Sequence, residues 1–254
     1  MVTRLTPAQP REGRWPGMLA GLAILLIVAA ALMMAGAGPA YRGELVSLGG
    51  AFDLLRNGVY AAGCAVVVSI ITLIWSVLAR RSTPALMASL VIVAAAALLY
   101  VPWQHWQRAQ QVPAIHDITT DTQNPPAFEA LADVRKAAPN GVEYPPATAQ
   151  QQQAAYPNIK PLVLDTAPQT VLAAAQAEAE EAGWRIARIT DNHIEATATT
   201  RWFGFEDDVV IRLTEIENGV KVDMRSASRL GASDVGTNAA RIDSFLTSLE
   251  ARLK

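Results

Sequence analysis

The chain has 254 residues, 51% of them hydrophobic, with 21 basic and 23 acidic side chains and a net charge of −2. A balance this even leaves no basic field for nucleic acid and no acidic tail. Its single cysteine, Cys64, excludes an intrachain disulfide and a cysteine-rich metal centre.

Three stretches, Gly17 to Ala37, Val59 to Ala79 and Ala85 to Val101, contain no Asp, Glu, Lys, Arg or His. A helix rises about 1.5 Å per residue and the hydrocarbon core is about 30 Å thick. The stretches therefore predict a membrane region over 1–108, with transmembrane helices at 17–37, 59–79 and 85–101. Trp15, Tyr41, Tyr60, Trp75, Tyr100, Trp103 and Trp106 fall near their ends, where amphipathic rings favour the headgroup zone. Pro102 is expected to end the third helix. Gly17 and Gly21 form a GxxxG spacing suited to close helix packing. Only Ser69, Thr72, Ser76 and Ser89 interrupt the carbon, so the spans lack the ionisable groups of a pump and read as an anchor or small bundle.

Arg4, Arg11, Arg14, Arg80 and Arg81 fall on one side of these spans, against Arg42, Arg56 and Arg108 on the other. Basic residues are retained inside during insertion, which puts the N-terminus in the cytoplasm. Three crossings then deliver the C-terminal domain outside, in a bacterium from the inner membrane into the periplasm. An alternative makes the first stretch a signal peptide cleaved after Ala35-Gly36-Ala37, although its apolar core is longer than such peptides usually carry.

Residues 109–254 predict a soluble domain. Gln110 to Asn124 reads as extended, Ala127 to Ala137 as a short helix, and the Pro/Gln-rich 139–161 as an irregular connector. Thr166-Ala167-Pro168-Gln169 fits a capping box opening a helix that Gly183 stops, with Val171, Leu172, Ala175, Ala179 and Ala182 on one face. Hairpins follow, turning at Asp191-Asn192 and at Asn218-Gly219. In the first, Ile194, Ala196 and Ala198 alternate with Glu195, Thr197 and Thr199. A last helix carries Ile242, Phe245, Leu246, Leu249 and Leu253 on one stripe. Together these predict an α+β domain: a four-stranded antiparallel meander flanked by two helices, packed as a two-layer sandwich.

An Asn218-Gly219 turn pairs Leu213 with Met224, Thr214 with Asp223 and Arg212 with Arg225. Like charges directly opposed are destabilising unless an anion lies between them. Arg229, Asp207, Asp208 and Asp234 are near in sequence. Two readings fit this cluster, an internal Arg–Asp network holding loops to the sheet and a groove for an anionic group. Ser226, Ser228, Ser233, Asp234 and Asn238 then lead into the last helix, where free backbone N–H groups either bind an anion or are capped by Ser233, Asp234 or Thr237. The aromatic turn Arg201-Trp202-Phe203-Gly204-Phe205 reads as a lid over the core by default, because aromatics usually bury themselves, with an aromatic ligand platform and a contact with the membrane surface as the alternatives. His116-Asp117 with Asp121 offers too few ligands for a metal site, and no cofactor motif is present.

Three blocks carry a family resemblance: His116-Asp117-Ile118-Thr119-Thr120-Asp121 with Pro125-Pro126-Ala127-Phe128; Trp202-Phe203-Gly204-Phe205-Glu206-Asp207-Asp208; and Val222-Asp223-Met224-Arg225-Ser226-Ala227-Ser228-Arg229-Leu230-Gly231 running on to Arg241-Ile242. The soluble half resembles the bacterial domain-of-unknown-function family 1499. The resemblance implies a secreted, lipid-anchored or membrane-anchored envelope protein and transfers no catalytic residue. The leading expectation is a non-enzymatic envelope module, tethered in the bilayer, that binds an anionic ligand or another envelope component. The alternatives are a periplasmic hydrolase using Asp207, Asp208 or Asp234 with Arg225 and Arg229, and a structural partner of another membrane protein.

Overall fold

The computed structural model describes residues 14–254. Arg4 and Arg11, which carry part of the orientation argument, lie outside them. The chain divides into two compact units between Gln104 and His105.

The first unit holds helices α1 (Trp15–Arg42) and α2 (Leu48–Leu78) and most of α3 (Ser82–Gln111). All three are long and apolar enough to cross a membrane. Each outruns the stretch predicted for it, because a helix continues past the hydrocarbon where its backbone bonds remain satisfied. Pro102 lies inside α3 and does not end it. A proline removes one helical hydrogen bond, and the turns on either side carry the helix through. The close approach of helices is not at Gly17 and Gly21, which have open space around them. It is at Gly58 of α2, where an added Cβ would lie 2.4 Å from the Met34 Cγ of α1. Ala20, Ala23, Ile27 and Ala30 of α1 and Ala62 and Ala65 of α2 line the buried seam. Thr72 donates to the Val68 carbonyl at 2.7 Å, satisfying its hydroxyl within its own helix.

The second unit is built on one open antiparallel sheet. Its strands are β1 (Asp117–Thr119), β2 (Leu162–Leu164), β3 (Arg185–Thr190), β4 (His193–Thr199), β5 (Glu206–Ile216) and β6 (Gly219–Ser228). The order is β1-β6-β5-β4-β3, with β2 pairing beside β1 on the outer edge of β6. The four-stranded meander is present as β3 to β6, and two short strands extend it to six. Three residues each in β1 and β2 are too few for an alternation to announce them.

Helices α6 (Pro168–Glu181) and α7 (Thr237–Leu253) cover one face. Val171, Ala175 and Ala179 of α6 and Ile242, Phe245 and Leu249 of α7 pack on Ile194, Ile211, Leu213, Val222 and Met224. Trp184 stacks on Phe245 at 5.2 Å. No side chain caps α6; Ala167 is its N-cap and Pro168 opens it, so Thr166 does not form the expected box. Gly183 does end it, at φ 73.

The opposite face is not solvated. Phe128, Leu131 and Val142 pack there on Val210 and Ala227, and Glu195 and Thr197 are buried beneath them. A segment with only the short helix α4 (Ala132–Lys136) makes this cover. The 139–161 stretch is likewise not wholly irregular, since α5 (Pro146–Ala155) forms within it. Gln152 of α5 binds the β1 backbone at Thr119 in both directions, accepting at 3.0 Å and donating at 2.7 Å. The domain is thus covered on both faces and not simply two-layered.

The second hairpin closes differently from expectation. Ile216 pairs with Gly219, so Glu217 and Asn218 form the turn. Gly219 has φ 121, and a Cβ there would lie 1.9 Å from the Leu164 carbonyl oxygen of β2. The glycine is needed in the strand, where β2 crowds it, and the register shifts accordingly. Arg212 therefore faces Asp223, Leu213 faces Val222 and Thr214 faces Lys221. The predicted opposition of Arg212 and Arg225 does not exist.

Candidate functional site

Alternation along β5 and β6 sends the ten candidate residues to two faces of the sheet. Asp208, Arg212, Arg225 and Arg229 point under the 120–145 cover. Asp207, Ser226 and Ser228 point toward α7, where Asn238, Ser233 and Asp234 join them. The structure makes two polar clusters and brings no single group of ten together.

Beneath the cover, Arg225 forms a two-pronged pair with Asp117, Nε to Oδ1 at 3.0 Å and Nη2 to Oδ2 at 2.8 Å. It donates further to the Val142 carbonyl at 2.8 Å and the Pro126 carbonyl at 3.3 Å. Asp208 is fully buried and takes four donors: Arg229 Nε at 2.9 Å and Nη2 at 2.8 Å, Arg135 Nη1 at 3.1 Å, and the Thr197 hydroxyl at 2.9 Å. Arg229 also pairs with Glu206. The Phe128 ring lies between two guanidinium groups, Arg135 at 4.5 Å and Arg225 at 4.7 Å. Such stacking suits guanidinium because it is planar and weakly hydrated.

At the other end of this face Asp223 accepts from Arg212 at 2.9 Å and pairs with Lys221 at 3.1 Å. Glu195 accepts three successive backbone N–H groups, from Glu129 at 3.0 Å, Ala130 at 2.8 Å and Leu131 at 3.0 Å. It fastens the cover to β4.

Environment sets the ionisation of these groups. Burial lowers the Arg135 pKa despite the Asp208 carboxylate beside it. The Asp208 hydrogen bonds raise that of Arg229. Burial alone would raise Glu195, but the neighbouring His193 and the hydrogen bonds from the three backbone N–H groups outweigh that and lower it.

On the helix side, Arg241 joins Asp207 at 2.6 Å to Ser226 at 2.9 Å. The Ser226 hydroxyl donates to Asn238 Oδ1 at 2.6 Å, and Asn238 Nδ2 donates to Ser228 Oγ and to the His116 carbonyl, each at 3.0 Å. Asp234 accepts from the backbone N–H of Gly236 and of Asn238, both at 2.8 Å. The free N–H groups opening α7 thus meet a carboxylate of the same chain; burial raises its pKa against those bonds. Ser233 accepts from the Val235 N–H at 3.2 Å, and Thr237 caps nothing with its side chain.

The residues that complete the two clusters include several the sequence did not single out as site residues: Asp117, Arg135, Glu195, Asp223 and Arg241. Arg135 and Arg241 sit on short or amphipathic helices where an arginine is ordinary. Glu195 falls on strand positions that alternation assigns to solvent. Among the described residues no group of three His, Cys, Asp or Glu side chains is placed to hold a metal ion. Clefts of about 250 Å³, bounded by Thr120, Gln153 and Lys160, and about 180 Å³, bounded by Asn158, Asp243 and Glu250, touch none of the ten candidates. The aromatic turn does not close over the core: Trp202 is 42% exposed, and Phe203 stacks on Phe205 at 4.9 Å.

A family model described as "Protein of unknown function (DUF1499)" matches residues 117–249, just over half of the 254 residues, and the chain belongs to that family. No curated protein matches it.

Proposed function

We propose that this DUF1499 protein is a non-enzymatic interaction module of the bacterial cell envelope. Three transmembrane helices hold it in the inner membrane with its N-terminus in the cytoplasm and its soluble domain in the periplasm. There it presents a rigid surface to other envelope components. The observation that carries this reading is the saturation of Asp208, whose two oxygens already take four donors from Arg135, Arg229 and Thr197. A general acid or base needs a lone pair or proton within reach of a substrate. An arginine groove needs guanidinium edges left for the ligand. Here protein carboxylates and carbonyls stand where a bound anion would, so Arg225, Arg229, Asp207 and Asp208 act as the internal frame of the domain.

Native mass spectrometry of the detergent-extracted full chain tests this. Lipid adducts alone are expected. A stoichiometric non-lipid anion that disappears in Arg229→Met would restore the ligand-site reading. Alkaline phosphatase fused after Lys254 tests the compartment: it is active only when exported, and an inactive fusion beside a fluorescent cytoplasmic one would reverse the orientation.

A further inference from the structure

We propose that the outer edge of β2, with the cleft between it and α7, is a docking groove for an extended polypeptide segment of another envelope protein, which adds a strand to the sheet. The proposal rests on the interaction-module reading and deepens it by naming the surface and the chemistry of its partner.

Strand register decides which backbone groups are left for such a segment. β6 directs the N–H and C=O of Met224 to its outer edge, where Thr120 takes both. The Thr120 N–H donates to the Met224 carbonyl at 2.8 Å, and its hydroxyl accepts the Met224 N–H at 2.9 Å. Backbone direction alternates with each residue, so Val222 and Val220 point the same way, at their partners Leu162 and Leu164. The Leu164 carbonyl accordingly crowds Gly219. Val163, between those partners, therefore turns its N–H and C=O away from β6. Among the described residues no strand pairs with β2 on that side. The Val163 side chain is 59% exposed as well. An edge with free main-chain groups is what strand addition requires.

The cleft supplies the side-chain chemistry. Leu162 and Leu164 face the helix-covered core, so every second side chain of an added strand would lie on the α7 side, over the cleft of about 180 Å³. One wall of that cleft is Ile159, Lys160 and Leu162, and the other is Asp243, Thr247 and Glu250 of α7. Among the described residues of the second unit every other lysine and arginine has a partner, whereas Lys160 has none. Asp243 is likewise unpaired, while Glu250 is held by Lys254 at 2.8 Å. A cation and a carboxylate thus stand ready on facing walls. The segment that fits carries an acidic side chain for Lys160 and a basic one for Asp243.

Peptide selection tests the groove. A displayed library of random nonapeptides is panned on the full chain in nanodiscs, with empty nanodiscs as counter-selection, and the enriched peptides are the probes. They are expected to carry an acidic and a basic residue and to slow hydrogen exchange at the Val163 N–H. They should bind Lys160→Glu about tenfold more weakly, the scale of one lost hydrogen bond to a charged group. Val163→Pro should weaken them as much. It removes an N–H that β6 does not use, at an edge position where proline is tolerated, so the fold survives. Peptides that bind both variants as tightly as the parent would overturn the groove and leave an interaction module whose surface lies elsewhere. Absence of enrichment on the parent chain would also overturn the groove. Crosslinking of the chain in cells then decides the module reading separately, and that reading falls if no protein adduct forms.

Discussion

Arg225 of β6 holds Asp117 of β1 with both arms of its guanidinium, a pair that joins residues 108 positions apart at a site almost closed to water. The pair fixes where the chain arriving from α3 meets the sheet. Removing one partner strands a buried charge, which costs about 3–5 kcal/mol, whereas replacing both with apolar side chains is often near neutral. Asp117→Asn should therefore destabilise the protein by about that amount. Asp117→Leu with Arg225→Met should recover most of it. Chemical denaturation of the full chain in detergent, followed by near-ultraviolet circular dichroism, measures both; a double variant no better than the single would refute the stranded-charge account.

Arg229 makes two parallel bonds to Asp208, from Nε and Nη2. A lysine retains the charge and loses the fork. Arg229→Lys should cost about 2 kcal/mol, the scale of one hydrogen bond to a charged group in a part-buried setting. It should leave any ligand-free function of the domain in place. Equal melting temperatures for the variant and the parent would show that the fork contributes nothing.

Much of the architecture was legible because it is local. An uncharged run of about twenty residues is a sufficient signal for a span, and Gly183, the Asp191-Asn192 turn and the α7 stripe each announce themselves within a few residues. The second hairpin was not legible for a reason that is not local. Asn-Gly favours a turn of its own, but Gly219 is claimed by the Leu164 carbonyl from 55 positions earlier in the chain. That one displacement turned a complementary Arg212–Asp223 pair into an imagined repulsion and suggested an anion to relieve it. The covered second face was hidden likewise, since residues 120–131 have no period and Glu195 and Thr197 look solvated until Phe128 and Leu131 lie over them.

Glu195 predicts a pH dependence. Its folded pKa is lowered, so the unfolded state binds the proton more readily between the two values and stability rises with pH across that window. The contribution is present above the ordinary carboxylate value and is lost as pH falls through the folded pKa. Glu195→Gln should lower neutral-pH stability by about 2 kcal/mol, since the amide accepts with one oxygen only. It should also flatten the acid limb of the stability curve. Melting temperatures between neutral and acidic pH check this, and an acid limb as steep in the variant as in the parent would assign the pH dependence to other carboxylates.

Gly219 gives the sharpest test of the register. Its φ of 121 is a region that side chains rarely occupy, and a Cβ would meet the Leu164 carbonyl oxygen at 1.9 Å, a backbone atom that cannot rotate away. Gly219→Ala must therefore either displace β2 or shift the β5–β6 turn. Displacing β2 releases its three-residue pairing with Val220, Lys221 and Val222 and uncovers Leu164. Shifting the turn would break the Arg212–Asp223 pairing and cost more, because Asp223 is fully buried. Loss of β2 is the cheaper outcome. Hydrogen exchange should accelerate at Leu162–Leu164 while β5 and β6 stay protected. Native exchange at β2 in the alanine variant would mean that the close approach of Leu164 does not determine the turn.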